Sequence, residues 1–163
     1  YGNAILSRLP VLEEASVRLE PLSDHRTALR VRIALHGRHI DIANTHLAWQ
    51  PDAGPTRARQ IDHLLGWLPS DGTPLILMGD FNAELSDSGL AAIDSSRFAS
   101  ALPRGAATTT LNPAKGHSAR VIDHIFVERR WFASIAARVI GDHATNGEYP
   151  SDHFGVAAQM RLL

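Results

Sequence analysis

The sequence predicts a layered α/β domain in which strands predominate, and three observations support this fold class. Seven apolar or alternating runs have the length of strands, and turn-forming pairs such as Leu9-Pro10 and Asp71-Gly72 separate them. One segment between two of these runs has apolar residues at helical spacing instead. The chain has 163 residues, which suits one domain with a sizeable core. Helices that cover a sheet give the layers of an α/β domain.

The strands are predicted from their apolar pattern, over residues 4–7, 11–19, 28–35, 39–45, 75–79, 121–127 and 154–160. The helix is predicted from Pro55, which suits a first helical turn, to the residue before Pro69. A shorter helix is predicted after Ser86, which can cap it, through Ile93. Because no repeat, low-complexity tract or linker divides the chain, we expect a single domain over residues 1–163.

The composition excludes several classes of protein. Hydrophobic residues make up 44% and charged residues 20%, as in folded rather than disordered chains. No apolar run approaches the length of a membrane span, and no secretory leader is visible at the start. The lack of cysteine excludes disulfides, thiolate metal sites and cysteine nucleophiles, and leaves the compartment open. The net charge of −1 argues against a large non-specific electrostatic grip on duplex DNA.

Polar side chains stand at the ends of four predicted strands. In HIDIANTHL, His46 has the same parity as Ile40 and Ile42, so it extends their inward face. The apolar run LILM ends abruptly in a carboxylate and a carboxamide, and RVIDHIFV places a carboxylate within an apolar strand. The candidate site residues are His46, Asp80, Asn82, Asp123, Asp152 and His153.

This set of groups points to metal-assisted chemistry. Carboxylates and a carboxamide are hard oxygen ligands suited to Mg²⁺ or Mn²⁺. Histidines can orient a phosphate or move protons, and an acid behind a histidine fixes its tautomer and ring direction. Together these groups predict the attack of metal-activated water on a phosphoester.

Each residue also has a simpler structural interpretation. A lone histidine such as His46 is more often structural, and an aspartate at a strand end is often a turn former. Asp123 could pair with Arg120 or Arg30, and the Asp152-His153 pair could be an ordinary loop. His124 could line the site, although a packed or solvated side chain is the safer interpretation. The remaining histidines receive no role; they are His25, His36, His39, His63, His117 and His143.

The motifs YGNAILSRLP, NTHL, GDFNA, RVIDHIFV and SDH occur in that order along essentially the whole chain. In this they resemble the endonuclease/exonuclease/phosphatase superfamily. The resemblance implies a four-layer α/β/β/α sandwich of the deoxyribonuclease type. It also implies hydrolysis of phosphodiesters or phosphomonoesters with Mg²⁺ or Mn²⁺ as the cofactor.

The resemblance further implies a role for each matching residue. His46 matches the histidine that contacts the scissile phosphate and helps to stabilise its charge. Asp80 matches the aspartate that activates or positions water, and Asn82 the asparagine that holds phosphate or metal. Asp152 matches a residue of the metal shell, so the metal candidates are Asp152, Asp80 and Asn82.

The last two matching residues form a pair. His153 matches the histidine at the reaction centre, and Asp123 matches the acid that orients it. The resemblance therefore explains why a carboxylate interrupts the apolar strand at residues 121–127. It also explains why the run LILM ends in GDFN, because that strand delivers two oxygen-bearing groups to a shared site.

The chain departs from the family pattern at one place. The family's principal metal ligand is a glutamate in a QE pair, and no such pair occurs in the sequence. We therefore expect a domain that lacks its N-terminal strands, with weak Mg²⁺ affinity and little or no activity in these 163 residues alone. We also expect an exposed sheet edge that favours self-association.

The substrate expectation follows from the near-neutral charge and the short stretch between Asn82 and Asp123. We expect a compact bacterial metal-dependent phosphohydrolase whose partner is a phosphoester, with DNA as the leading specific substrate. The alternative is a non-catalytic or inactive module of the same fold that is used for binding. An intact set of site residues argues against that alternative, whereas the missing glutamate keeps it open.

Overall fold

Two sheets of unequal size organise the chain, whose computed structural model describes residues 2–95 and 97–163. Tyr1, the first residue of the YGNAILSRLP motif, lies outside the described residues. The strands are β1 (Val11–Arg18), β2 (Thr27–Leu35), β3 (Arg38–His46), β4 (Leu75–Asp80), β5 (Phe98–Ser100), β6 (Asp123–Glu128), β7 (Phe132–Ile140) and β8 (Gly155–Leu162). Helix α1 spans Gly54–Trp67, and 3₁₀ turns span Leu22–Asp24, Ser88–Ala92 and Pro113–Lys115.

The larger sheet has six strands in the order β1-β2-β3-β4-β6-β5, and β7 pairs with β8 in the second sheet. Strands β3 and β4 are parallel, and the other pairs are antiparallel. Parallel neighbours need a crossover connection, and α1 supplies it here. Consequently the C-terminal ends of β3 and β4 lie side by side with the start of β6, where the sequence predicts the site.

Two apolar clusters lie on opposite faces of the six-stranded sheet. On one face Ile61 and Leu64 of α1 pack against a cluster that includes Leu77 of β4. On the other face the cluster includes Ile40 of β3 and Val127 of β6 and lies toward the two-stranded sheet. The alternation predicted for β3 and β6 is confirmed, and β6 is central, because it lies between β4 and β5.

The strand predicted at residues 4–7 is wrong. This segment has no ladder hydrogen bonds and is held by side chains instead, because Asn3 Nδ2 donates to the Thr27 carbonyl at 2.8 Å and Asn44 Nδ2 donates to the Ala4 carbonyl at 3.0 Å. Ile5 packs on the apolar cluster between the sheets. The apolar pattern therefore reports burial in this segment and not strand pairing.

The other differences concern short elements and boundaries. The predicted short helix is a 3₁₀ turn over Ser88–Ala92, preceded by Asp87 rather than capped by Ser86. Strand β6 begins at Asp123, because the backbone N–H of Ile122 donates to Thr110 Oγ1 and not to a neighbouring strand. Strands β5 and β7 were not predicted, since β5 is only three residues long and β7 is rich in alanine.

The described residues form three layers: α1 with the 3₁₀ turn Ser88–Ala92, the six-stranded sheet and the two-stranded sheet. An outer helical layer on the second sheet is not among them. No helix in the described part of the chain is long and apolar enough to cross a membrane.

Candidate active site

Three predicted site residues form one row across neighbouring strands. His46 ends β3 and is paired in register with Asp80, which ends β4, and Asp80 is in turn paired with Asp123 at the start of β6. All three have the parity of residues in the apolar cluster between the sheets, such as Ile42 and Ile125. Their side chains therefore share one face of the sheet, at its edge.

The side chains of this row make close polar contacts. His46 Nε2 lies 3.3 Å from Asp80 Oδ2. His153, just before β8, places Nδ1 3.0 Å from Asp123 Oδ2 and 3.2 Å from Oδ1. One ligand atom each from Asp80, Asp123 and His153 lies within 4.8 Å of the others. Two carboxylates and two imidazoles thus converge on one small volume.

The loop before β6 positions His153 against Asp123. Thr110 Oγ1 accepts hydrogen bonds from the backbone N–H groups of Ile122 and Asp123, at 3.0 and 3.2 Å. The Thr110 carbonyl accepts from the N–H of Phe154 at 2.7 Å, and Leu111 forms an isolated bridge with His153. The loop therefore ties the start of β6 to the segment that carries the histidine.

The turn after β4 explains the abrupt end of the apolar run. Phe81 is fully buried and packs edge-on against the Phe126 ring, so it anchors the turn between two polar residues. Asn82 has φ = 51° and donates its backbone N–H to Asp80 Oδ1 at 2.8 Å. Its Nδ2 donates to the Leu47 carbonyl at 3.1 Å. These bonds fix the orientations of both the carboxylate and the carboxamide.

Gly79 allows β3 and β4 to approach closely just before the row. Its φ is +145°, and a Cβ atom at this position would lie 1.9 Å from the Thr45 carbonyl oxygen. No other amino acid fits without moving one strand. The spacing between His46 and Asp80 therefore depends on a glycine one residue before the aspartate.

Burial and mutual charge perturb the ionisation of the site. Burial, and then the negative charge of Asp123, raise the pKa of Asp80 to about 6. The hydrogen bond to Asp123 raises the pKa of His153. Burial, and then the positive charge of Arg26, lower the pKa of His46. Although His46 lies at ion-pair distance from Asp80, its ring is thus the neutral partner at neutral pH.

These groups fit a bound divalent cation. Asp80 and Asp123 are half-buried carboxylates that repel each other, and this repulsion contributes to the raised pKa of Asp80. A cation between hard oxygen ligands would remove that repulsion and keep both groups ionised. Because Asp123 and Nδ1 of His153 are already bonded to each other, the oxygens of Asp80 and Asn82 are the better candidates for metal ligands.

Asp152 is not among the three residues whose ligand atoms lie within 4.8 Å of one another. Its side chain is 62% exposed, and its Oδ2 lies 3.6 Å from Nε2 of His117. Ser151 Oγ donates to its other carboxylate oxygen at 3.2 Å. The predicted place of Asp152 in a metal shell therefore remains a prediction.

Sequence reasoning missed two basic neighbours of the site. His117 was given no role, but its ring centroid is 6.4 Å from that of His153. Arg26 is almost fully buried, and its charge acts on both His46 and Asp80. The other site residues are predicted because they end apolar strand patterns. Neither Arg26 nor His117 lies at the end of such a pattern. His124 is packed, with Nε2 bonded to the Ala83 carbonyl at 2.9 Å.

The model of the endonuclease/exonuclease/phosphatase family matches residues 1–153 of the chain. The chain belongs to this family. The predicted resemblance is therefore confirmed. A search of curated proteins finds no significant match.

Solved structures of family members confirm the fold class. The human Nocturnin catalytic domain with bound sulfate superposes with a TM-score of 0.79 at 23% identity, over 96% of this chain and 61% of that one. Zebrafish (D. rerio) TDP2 in complex with a single-strand DNA product gives 0.79 at 19% identity, over 94% and 69%. A mannosyl-6-phosphatase of Bacteroides thetaiotaomicron gives 0.72 at 19% identity, over 94% and 67%. The chain thus spans about three fifths of the Nocturnin domain.

Proposed function

We propose that the chain carries the reaction centre of a phosphoester hydrolase that depends on a divalent cation, Mg²⁺ or Mn²⁺. The observation that carries this proposal is the row of His46, Asp80 and Asp123, with His153 against its end. Membership of the family supports a hydrolase of the phosphoesterase or nuclease type. The cation would neutralise negative charge on the phosphate and lower the pKa of a bound water.

The proposed roles follow from the contacts of each side chain. Asp123 holds the His153 ring through its Nδ1 atom. The Nε2 atom then faces the substrate, where it stabilises developing charge or transfers a proton. His46, whose lowered pKa keeps it neutral, donates a hydrogen bond to the phosphate. Asp80 positions the attacking water. Asn82, fixed through its Nδ2, would offer its side-chain oxygen to a bound cation.

The metal ligands proposed are Asp80 and Asn82, with Asp152 as the predicted third. The carboxylate of Asp152 lies 3.6 Å from Nε2 of His117 and would have to exchange this contact for the metal. Mg²⁺ usually binds to only one or two protein carboxylates, keeps several waters and also binds substrate phosphates. We expect the affinity of the 163-residue chain for Mg²⁺ to be weak.

The substrate proposed is a phosphodiester, and DNA is the leading specific candidate. The TDP2 structure contains a single-strand DNA product, the Nocturnin structure a sulfate anion, and a third relative is named a sugar phosphatase. Together they support a phosphoester without selecting one. The net charge of −1 favours a single strand or a short end over a long duplex.

Hydrolysis of bis-p-nitrophenyl phosphate and of plasmid DNA tests the proposal. The 163-residue chain, and any longer natural chain that includes it, is assayed with Mg²⁺, with Mn²⁺ and with EDTA. We expect metal-dependent hydrolysis wherever the metal site is complete, and a loss of roughly 100-fold or more in His153→Gln. His143→Gln is the matched control, because His143 is 91% exposed and contacts Asp142, away from the cluster.

The outcomes separate the two functions that the sequence leaves open. Activity that EDTA abolishes and that needs His153 supports hydrolysis. Binding of phosphoesters without hydrolysis, with or without metal, in every chain assayed refutes the proposal and favours a binding module. Equal loss in His153→Gln and His143→Gln would mean that the loss has no specific origin in the site.

Self-association through a sheet edge remains a further prediction. Strand β1 forms one edge of the larger sheet, where Val11 and Leu12 are each 48% exposed. The neighbouring Glu13 and Glu14 are charged residues of the kind that oppose edge pairing. Sedimentation of the chain over a range of concentrations distinguishes dimers from monomers, and Leu12→Lys should shift any equilibrium toward monomers.

A further inference from the structure

Trp49 is 62% exposed although the two residues before it, Leu47 and Ala48, are fully buried. It lies three residues after His46, in the connection from β3 to α1. The other tryptophans, Trp67 and Trp131, pack against apolar clusters. A large apolar ring held in water gains free energy when a flat ligand covers it. Trp49 is therefore a candidate contact for a substrate.

The connection that carries Trp49 is bonded directly to the site. The N–H of Leu47 donates to the backbone carbonyl of Asp80 at 2.9 Å. The Leu47 carbonyl accepts from Nδ2 of Asn82 at 3.1 Å. Two residues of the proposed reaction centre thus hold the residue two positions before Trp49.

The other side of the connection is bonded to α1. The N–H of Ala48 donates to Gln60 Oε1 at 2.9 Å. Arg57 Nη1 donates to the carbonyls of Ala48 and Gln50, each at 3.1 Å. The backbone on both sides of Trp49 is therefore fixed, and the exposed ring projects from a rigid support. A rigid aromatic platform loses little entropy when it binds a ligand.

A polar cavity of about 320 Å³ adjoins Trp49 through the next residue, Gln50. The buried Oε1 of Gln50 has no hydrogen-bond partner, so turning this oxygen toward a ligand breaks no bond that it makes. Asp24, which also lines the cavity, accepts through its Oδ2 from Gln60 Nε2 at 2.8 Å and from Nε of Arg26, the buried neighbour of the site, at 3.3 Å. The other polar lining residues are Ser23, Asp52 and Thr56.

The lining of the cavity selects the chemistry of its ligand. Asp24, Asp52 and Gln50 offer acceptor oxygens, which match a ligand with N–H or O–H donors. Arg26 offsets the charge of Asp24, but the carboxylate of Asp52 would repel a phosphate, so the cavity suits the organic group that the phosphate carries. A nucleoside combines a flat base with N–H and hydroxyl donors, and so matches both the indole and the cavity.

We propose that Trp49 and the cavity beside it bind the nucleoside of a nucleotide phosphoester, with the base stacked on the indole and donors directed to Gln50, Asp24 and Asp52. This inference rests on the proposed function, because it assigns a substrate class to the same site. Stacking on a single aromatic side chain is tolerant of base identity. The subsite would therefore select nucleotides over other phosphoesters without reading sequence.

Binding of a nucleotide that is not hydrolysed tests this subsite apart from catalysis. The probe is fluorescein-labelled tetrathymidylate with phosphorothioate linkages, and its anisotropy is measured with the chain in Mg²⁺. We expect Trp49→Ala to weaken binding by about 5- to 150-fold, the range for loss of one base stack. Trp49→Phe should retain most of the affinity. Ile135→Ala, in β7, is the matched control, because Ile135 is 57% exposed.

Competition distinguishes a nucleoside from a sugar ring. Thymidine 5′-monophosphate should displace the probe at lower concentration than glucose 6-phosphate or inorganic phosphate, and Trp49→Ala should abolish that preference. Equal affinity of Trp49→Ala and the unaltered chain, no binding by the unaltered chain, or stronger competition by glucose 6-phosphate would each overturn the proposal. Binding that needs Trp49 in a protein that hydrolyses no phosphoester would refute the proposed function and leave the subsite standing.

Discussion

Replacing Asp80 with asparagine should stabilise the metal-free chain at neutral and alkaline pH. The side chain of Asp80 is 16% exposed, and burial together with the charge of Asp123 raises its pKa from 3.8 to about 6. These effects outweigh the hydrogen bond from the N–H of Asn82, which favours the charged form. Asparagine has the same shape, keeps an oxygen to accept that bond and carries no charge.

The sign follows from the difference in proton binding between the folded and unfolded chains. Because the folded pKa of Asp80 is the higher one, its contribution to stability is fully present below 3.8 and is lost as the pH rises through about 6. A shift of about 2 pKa units at about 1.4 kcal/mol each sets an upper limit of about 3 kcal/mol. We therefore expect Asp80→Asn to gain about 1–3 kcal/mol at pH ~8 and almost nothing at pH ~4.

Urea unfolding in EDTA at both pH values measures this difference in the free energy of unfolding. In thermal unfolding, each kcal/mol should raise the Tm by about 2–4 °C for a chain of this size. Asp62→Asn, on the exposed side of α1, is the control and should show no such dependence on pH. A loss of stability in Asp80→Asn at the higher pH, or an equal change at both, would refute the electrostatic reasoning.

Three further predictions follow from single contacts. Gly79→Ala should destabilise the chain by about 2 kcal/mol or more in urea unfolding, because its Cβ would lie 1.9 Å from the Thr45 carbonyl oxygen; a smaller loss would mean that β3 and β4 separate easily. Asp41→Ala should lower the free energy of unfolding by about 3–5 kcal/mol, because it leaves two arginines without the fully buried carboxylate that now lies 2.8 and 3.0 Å from them. A loss below about 1 kcal/mol would contradict this. Asp123→Asn should lower the pKa of His153 in an NMR titration, and an unchanged pKa would show that another group raises it.

The row of site residues could be predicted because strand parity and position decide it. His46 and Asp123 keep the parity of apolar neighbours, and that parity places them on the face toward the second sheet. Each also stands at a strand end, as Asp80 does. Parity is a local property of a strand and can be read without knowledge of its partners.

The remaining features depend on contacts between distant segments. The pattern at residues 4–7 shows burial, but the absence of a ladder partner could not be read from it. Strand β7, with the sequence FASIAARVI, has no regular alternation and is defined by its pairing with β8. Arg26 and His117 approach the site from loops, whose course no periodicity encodes.

The side chain of Asp152 illustrates the same limit at the level of a rotamer. Its position before His153 follows from the motif, but the direction of its carboxylate depends on His117, which lies in the loop before β6. Likewise, the buried carboxylate of Asp41 pairs with Arg30 and Arg32, so the suggested pairing of Arg30 with Asp123 is wrong.

Paramagnetic broadening by Mn²⁺ tests most directly whether a divalent cation binds at Asp80 and Asn82, beside the pair of Asp123 and His153. It detects weak binding, and the imidazole C–H signals report where the ion lies. We predict that Mn²⁺ broadens the signals of His46 and His153 but spares His36, which lies about 25 Å or more away beyond the other end of β3. Excess Mg²⁺ should reverse the effect, and Asp80→Asn should weaken it. Equal broadening of all three histidines, or none at His153, would contradict the account.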